Sequence, residues 1–168
     1  GLSEYIDSYI DLESFFLELT LHFNDDSRTQ QAVLNWCYIF GDLLSPSKIR
    51  RVMKKNVYDQ KNILLLIKFI HEHGVVLKNW SILGAYDKAL SLSFVPQTKK
   101  YLKKISFIEK NCPELRYRIQ GNSQVSADIK AYLEKNTFKS MYDIAKNIDS
   151  AKNRVNEEYR KLVRLEII

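Results

Sequence analysis

Five glycines and three prolines are the only strong backbone breakers in this 168-residue chain. That scarcity leaves room for long helices joined by short connections. Between the breakers, apolar side chains recur at i, i+3, i+4 and i+7, the spacing of one helical face. Tyr5, Ile6, Tyr9, Ile10, Leu12, Phe15, Phe16, Leu19 and Leu21 predict an amphipathic helix over residues 3–24. Its other side carries Glu4, Asp7, Asp11, Glu13 and Glu18 with no interrupting Lys or Arg. The fold class expected is all-α, an N-terminal multi-helix bundle followed by a smaller C-terminal helical unit.

A second helix, capped by Asp26 or Ser27, is expected to run to about Leu44 and to lie centrally, because Ala32, Val33, Leu34, Trp36, Cys37, Ile39, Phe40 and Leu43 leave it little polar surface. Pro46 suits the first turn of a third helix, which carries Lys48, Arg50, Arg51, Lys54 and Lys55. That basic cluster reads as a solvated face, a phosphate contact, or a partner for the acidic first helix. Residues 59–73 form another buried helix, closed by Gly74 as a C-terminal cap. A helix is expected near Trp80–Leu90, with a short extended piece at Val75–Leu77 as the alternative before it. Pro96 opens a helix to about Asn111, with Lys99, Lys100, Lys103 and Lys104 along one side, and Pro113 starts the next. Gly121-Asn122-Ser123 is the clearest turn and the expected domain boundary, giving a helical domain over 1–120 and a second domain over 121–168.

Composition bounds the function. At 45% hydrophobic and 27% charged residues the chain is an ordinary globular one. The longest apolar run, Ile63–Ile67, is far too short to cross a bilayer, so no membrane partner is expected. Cys37 and Cys112 are far apart and form neither a metal-spaced pair nor a disulfide framework, which fits a reducing, cytoplasmic setting. His71-Glu72-His73 resembles a metal motif, but residues two apart on a helix point to different sides, so no metal site and no cofactor is expected. No Ser/His/Asp or Cys/His spacing stands out, and the chain does not read as an enzyme. Gly1-Leu2 reads as a cleavage scar, with the natural start expected upstream.

The segment that points to a job is Thr137–Leu162. Ile144 and Ala145, then Ile148, then a polar break, then Val155 and Tyr159 follow the order of two short helices crossing tightly, with small Ala145 at the contact. Val125, Ile129, Tyr132 and Leu133 predict the preceding helix. Charge agrees in sign: residues 1–90 hold 10 Lys+Arg against 11 Asp+Glu, a net −1, and residues 91–168 hold 16 against 9, a net +7. Phosphate neutralisation supplies much of the affinity for nucleic acid, so a basic half is what such a module needs.

Residues 115–165 resemble the winged helix-turn-helix domains of prokaryotic transcriptional regulators. The resemblance lies in Leu115-Arg-Tyr-Arg118, Gly121, Ser126-Ala-Asp-Ile129, Tyr132-Leu133, Met141-Tyr-Asp-Ile-Ala145 and Lys152-Asn-Arg-Val-Asn156. It covers less than a third of the chain. It implies a three-helix unit whose third helix, about 151–164, reads duplex DNA. Three departures stand out: Asp149 occupies the turn position usually held by glycine, Ser150 follows where a small apolar residue is usual, and the sequence reaches only Ile168, with room for little or no wing. Asp tolerates a left-handed backbone, and Asp149 or Ser150 is alternatively a cap for the third helix.

On this reading Lys152, Asn153, Asn156 and Arg160 form the outward face of the third helix, with Val155, Tyr159 and Leu162 toward the core. Asn suits adenine, and Arg or Lys suits guanine. Arg154 adds to the positive face, and Lys139 and Ser140 are expected on phosphate at the start of the second helix. Glu157 and Glu158 oppose this, since they repel phosphate if they face it. The N-terminal helices are expected to form a homodimer or to sense a partner. The alternative, from a different class, is a protein-interaction or assembly module whose winged-helix-like end never meets DNA. A third reading is an antitoxin-like or phage-defence regulator. A DNA binder should join Lys139, Lys152, Arg154 and Arg160 in one positive face, and an assembly subunit should show an apolar patch there.

Overall fold

The computed structural model describes residues 11–75, 78–84, 92–165 and 167–168, with the backbone alone at 105. Among the described residues every regular element is helical and no strand occurs, so the chain is all-α. No helix among them is long and apolar enough to cross a membrane. The helices are α1 (Leu12–His22), α2 (Ser27–Phe40), α3 (Pro46–Met53), α4 (Gln60–His73), α5 (Thr98–Tyr101), α6 (Ile105–Asn111), α7 (Pro113–Ile119), α8 (Gln124–Lys135), α9 (Met141–Asn147) and α10 (Lys152–Arg164). Short 3₁₀ turns at Gly41–Leu43 and Trp80–Leu83 complete the list. The chain divides into two compact units, residues 13–104 and residues 105–168 with Asp11 and Leu12. The turn at Gly121, expected between two domains, lies inside the second unit.

In the unit 13–104, α2 packs on α4 and α5, and the Trp80–Leu83 turn packs on α3 and α4. α2 begins where expected: the Asp26 carboxylate accepts the Arg28 and Thr29 N–H groups at 2.8 and 2.9 Å and the Thr29 hydroxyl at 2.7 Å. The Thr29 N–H, with its hydroxyl, holds that carboxyl below its ordinary range. The helix stops at Phe40 and tightens into the 3₁₀ turn, short of the expected end at Leu44. Val33, Leu34, Trp36, Cys37 and Phe40 are buried in it, as its apolar pattern predicts. Burial pushes the Cys37 thiol far up, which makes it inert.

Lys48 does not lie on a solvated face. Its ammonium is fully buried 3.4 Å from the equally buried Glu13 carboxylate of α1, whose other oxygen accepts the Ser45 N–H at 2.9 Å. Of the readings open to the α3 cluster, pairing with the acidic first helix holds at Lys48. Gly74 caps α4 as expected, its N–H donating to the Ile70 carbonyl at 2.7 Å, but without the usual glycine backbone. Its φ is −75°, not left-handed. Glycine is needed there because a Cβ would run into the Asp42 side chain and the Ile70 carbonyl.

The helix expected from Pro96 to Asn111 is two short ones, α5 and α6, separated at Leu102, whose backbone is extended. Lys99/Lys103 and Lys100/Lys104 are like-charged i, i+4 pairs, which disfavour a continuous helix. The Gln97 N–H meanwhile donates to the buried Asn35 side chain at 2.8 Å, which fixes the start of α5 on α2. The elements expected at 3–10, 76–77 and 85–91 lie outside the described residues, and of the helix expected near Trp80–Leu90 only the 3₁₀ turn is described.

In the unit 105–168, α7 and α8 form an antiparallel hairpin. Gly121 makes its turn with φ +81°; the Gly121 N–H donates to the Arg118 carbonyl at 3.0 Å and the Asn122 N–H to the Tyr117 carbonyl at 3.2 Å. That pair of bonds is a Schellman C-cap. Three ion pairs run along the hairpin: Arg116–Glu134, Arg118–Asp128 at 2.8 Å, and Lys135–Glu114 at 3.4 Å. Arg118 and Asp128 are nearly fully buried, and Gln124 donates to the second Asp128 oxygen at 2.8 Å. Such pairs add little net stability but leave a bare charge, at about 3–5 kcal/mol, if one partner is lost or the register slips.

α8 then packs its other face on α9 and α10. Val125, Ile129, Tyr132, Ile144, Ala145, Ile148, Val155 and Leu162 form one core, with Leu133, Met141 and Tyr159 packed partly against it. Each large apolar side chain buried this way contributes about 1.5–3 kcal/mol. The Tyr132 hydroxyl donates to the Asp143 carboxylate, tying α8 to α9.

Candidate nucleic-acid interface

α9 starts at Ser140, whose hydroxyl oxygen accepts the Asp143 N–H at 3.1 Å as an N-cap. It ends at Ile148, after which Asp149 adopts φ +51°, the left-handed conformation for which glycine is favoured. The Ser150 N–H returns to the Ala145 carbonyl at 3.0 Å, closing the turn as a Schellman cap does. Asp149 therefore serves the turn itself. The N-cap position of α10 is Ala151, which makes no side-chain bond.

α10 has about 3.6 residues per turn like any α-helix, and its burial follows. Val155 and Leu162 are buried and Tyr159 is half-buried, as expected for the core side. Lys152, Asn153, Arg154 and Arg160 are exposed, and Asn156 is half-buried. Lys139 and Ser140 are exposed ahead of α9. Opposite the core lie Asn153, Glu157, Arg160, Lys161 and Arg164. Lys152, Asn156 and Val163 lie on one edge, next to Tyr159. Exposed Glu157 sits within the outward face, with Arg154 three residues before it and Arg160 and Lys161 three and four after.

The expected outward set therefore divides in two. Asn153 and Arg160 point away from the core beside Glu157, while Lys152 and Asn156 share their edge with Tyr159. The ring of Phe138 stacks on Tyr159 with centroids 5.6 Å apart and planes 25° apart, and Phe138 stays 45% exposed. In the sequence, Phe138 is marked only by standing next to a lysine, Phe138-Lys139, and its stacking on Tyr159 depends on a residue 21 positions away.

Two arginines of the family-like stretch are engaged within the hairpin. Arg116 holds Glu134 and Arg118 holds Asp128. The charge asymmetry also changes once the units are known. Residues 13–104 hold 14 Lys+Arg and 8 Asp+Glu, and residues 105–168 hold 12 and 9, because the lysines of 99–104 fall in the first unit. Residues 105–168 carry a net +3, concentrated toward α10, and the acids of residues 1–12, which belong to the same unit, offset it.

The three histidines have local partners. His22 lies 2.8 Å from Asp25, the His73 ring stacks on Phe69 with its Nδ1 2.9 Å from the Phe69 carbonyl, and His71 is exposed with a contact of its own. Cys112 is half-buried, and burial, helped by Glu114, pushes its thiol up.

Compared with protein-family models, with curated proteins and with solved structures, the chain finds no match.

Proposed function

We propose that α9 and α10 act as a helix-turn-helix that binds duplex DNA, as a transcriptional regulator does, with α10 as the reading helix. The observation that supports this most is the division of α10. One side is anchored by Val155 and Leu162; Asn153, Glu157, Arg160, Lys161 and Arg164 lie opposite it, with exposed Lys152 and Arg154 on the two flanks. A rigid helix with cations and amides on its free side suits a major groove, where amides pair with adenine and guanidinium with guanine. Asp149 at φ +51° supports the tight turn such a pair of helices needs. Lys139 and the Ser140 hydroxyl proton suit phosphate.

The test is anisotropy of the protein on labelled random-sequence duplex at two salt concentrations. Binding should weaken steeply with salt, since each phosphate contact contributes about one unit of log–log slope. Lys152→Ala with Arg160→Ala should lower affinity about tenfold or more at low salt and reduce the slope by about 2. A folded sample with no duplex binding at low salt sinks the proposal.

A second reading, a protein-assembly module, draws on a different observation. Val163, Leu165, Ile167 and Ile168 are 46%, 59%, 48% and 43% exposed at the end of α10, and large exposed apolar groups in sequence favour a protein contact. Concentration-dependent self-association that Leu165→Lys abolishes, without duplex binding, is its signature.

A further inference from the structure

We infer that the edge of α10 formed by Lys152, Asn156, Tyr159 and Val163, with Phe138 stacked on it, is a platform for an unpaired nucleobase, so that this unit takes single-stranded nucleic acid. The inference shares α10, Lys139 and Lys152 with the proposed duplex reading but turns on Phe138, which that reading does not use. Phe138 stacks its ring on Tyr159 and is still 45% exposed. A ring held that way costs little further ordering when a flat π-system stacks on it. Every base offers such a face, whatever the sequence.

The charges on the same edge agree. Lys152 lies on it and Lys139 follows Phe138 directly, both exposed, where the backbone of a stacked strand requires cations. Both α10 acids lie away from it: Glu157 and Glu158 are two and one residues from Tyr159, on the outward face and the opposite flank respectively. Half-buried Asn156 carries both a donor and acceptors for a base edge. The duplex-facing side has no aromatic, and its Glu157 opposes phosphate. A paired base within a duplex presents only its edge, not its face, so the exposed ring of Phe138 is matched by a strand whose bases are unstacked.

The experiment titrates the whole chain into labelled oligo(dT) and, separately, a duplex of the same length at low salt. Phe138→Ala is the principal variant, and circular dichroism checks its fold. Half of that ring is already solvated, and the α8–α10 core does not include it. Phe138→Ala is expected to weaken oligo(dT) binding about tenfold or more and leave duplex binding within about twofold, while Phe138→Trp retains it. Oligo(dT) binding that is absent, or unchanged in Phe138→Ala, overturns the inference even when the duplex binds. Single-strand binding that needs Phe138, with no duplex binding, upholds it and removes the duplex proposal. If Phe138→Ala weakens strand and duplex equally, the ring is a general contact and the platform is overturned.

Discussion

Tyr132 shows how one side chain serves two levels of structure. Its ring occupies the α8 stripe that the sequence pattern predicts, and its hydroxyl donates to Asp143 of α9. The Asp143 carboxylate, first through that hydrogen bond, and burial together push the Tyr132 phenol up to about 12. A group whose ionisation is harder in the folded state stabilises that state while it stays protonated. The contribution is therefore complete below about pH 10, the ordinary tyrosine value, and is lost as pH rises toward 12. Hydrogen bonds to charged groups are worth about 1.5–3 kcal/mol, so the unfolding free energy read from urea titrations should fall across that window by that order. Tyr132→Phe should be less stable at neutral pH and should flatten the alkaline decline. A Tyr132→Phe variant with the same alkaline slope as the parent would refute this assignment. Asp143 was legible as a helix residue but not as this acceptor, because the partner comes from a different helix.

At the scale of elements, the two tight turns of the second unit solve one problem with different residues. Gly121 and Asp149 both have positive φ, and each turn returns an N–H to the helix just ended, from Gly121 and Asn122 in the first and from Ser150 in the second. At Gly121 a Cβ would meet nothing within 4 Å, so the only cost of adding one is backbone strain. Gly121→Ala is accordingly expected to cost about 1–2 kcal/mol, read as a drop in urea midpoint with no change in its slope. Asp149→Val should cost at least as much, since a β-branched residue tolerates that backbone worse than Asp does. A neutral Gly121→Ala would mean that the α7–α8 turn adopts another conformation. Most helices could be read from apolar period and caps, and Asp26, Pro46, Asp59, Pro113 and Ser140 mark starts as expected of their types. What failed was the helix from Pro96 to Asn111. Its apolar period continues through Leu102 and Ile105, but period alone does not register two like-charged lysine pairs or the hold of Asn35 on Gln97.

At the scale of the molecule, the break at Leu102–Lys104 coincides with the boundary between the two units. Lys103 and Lys104 are exposed in a non-helical stretch, which is the conformation a protease needs. Brief trypsin digestion of the native chain should first cut there and release fragments of about the lengths of the two units. A first cut within α8–α10 would contradict the division. The sequence by itself determined the all-α class, the stripe of α8, the order α8–α9–α10 and the exposure of Lys139, Lys152, Asn153, Arg154 and Arg160. These follow from local periodicity, since a helix's buried side is written in its own residues. Only tertiary structure decided that Lys48 is buried against Glu13, that Arg116 and Arg118 are spent on Glu134 and Asp128, that Gly74 is needed for space rather than for φ, and that Phe138 stacks on Tyr159. Each of these depends on a residue from another turn or helix, and neither spacing nor composition specifies which distant side chain a buried charge or a ring will meet.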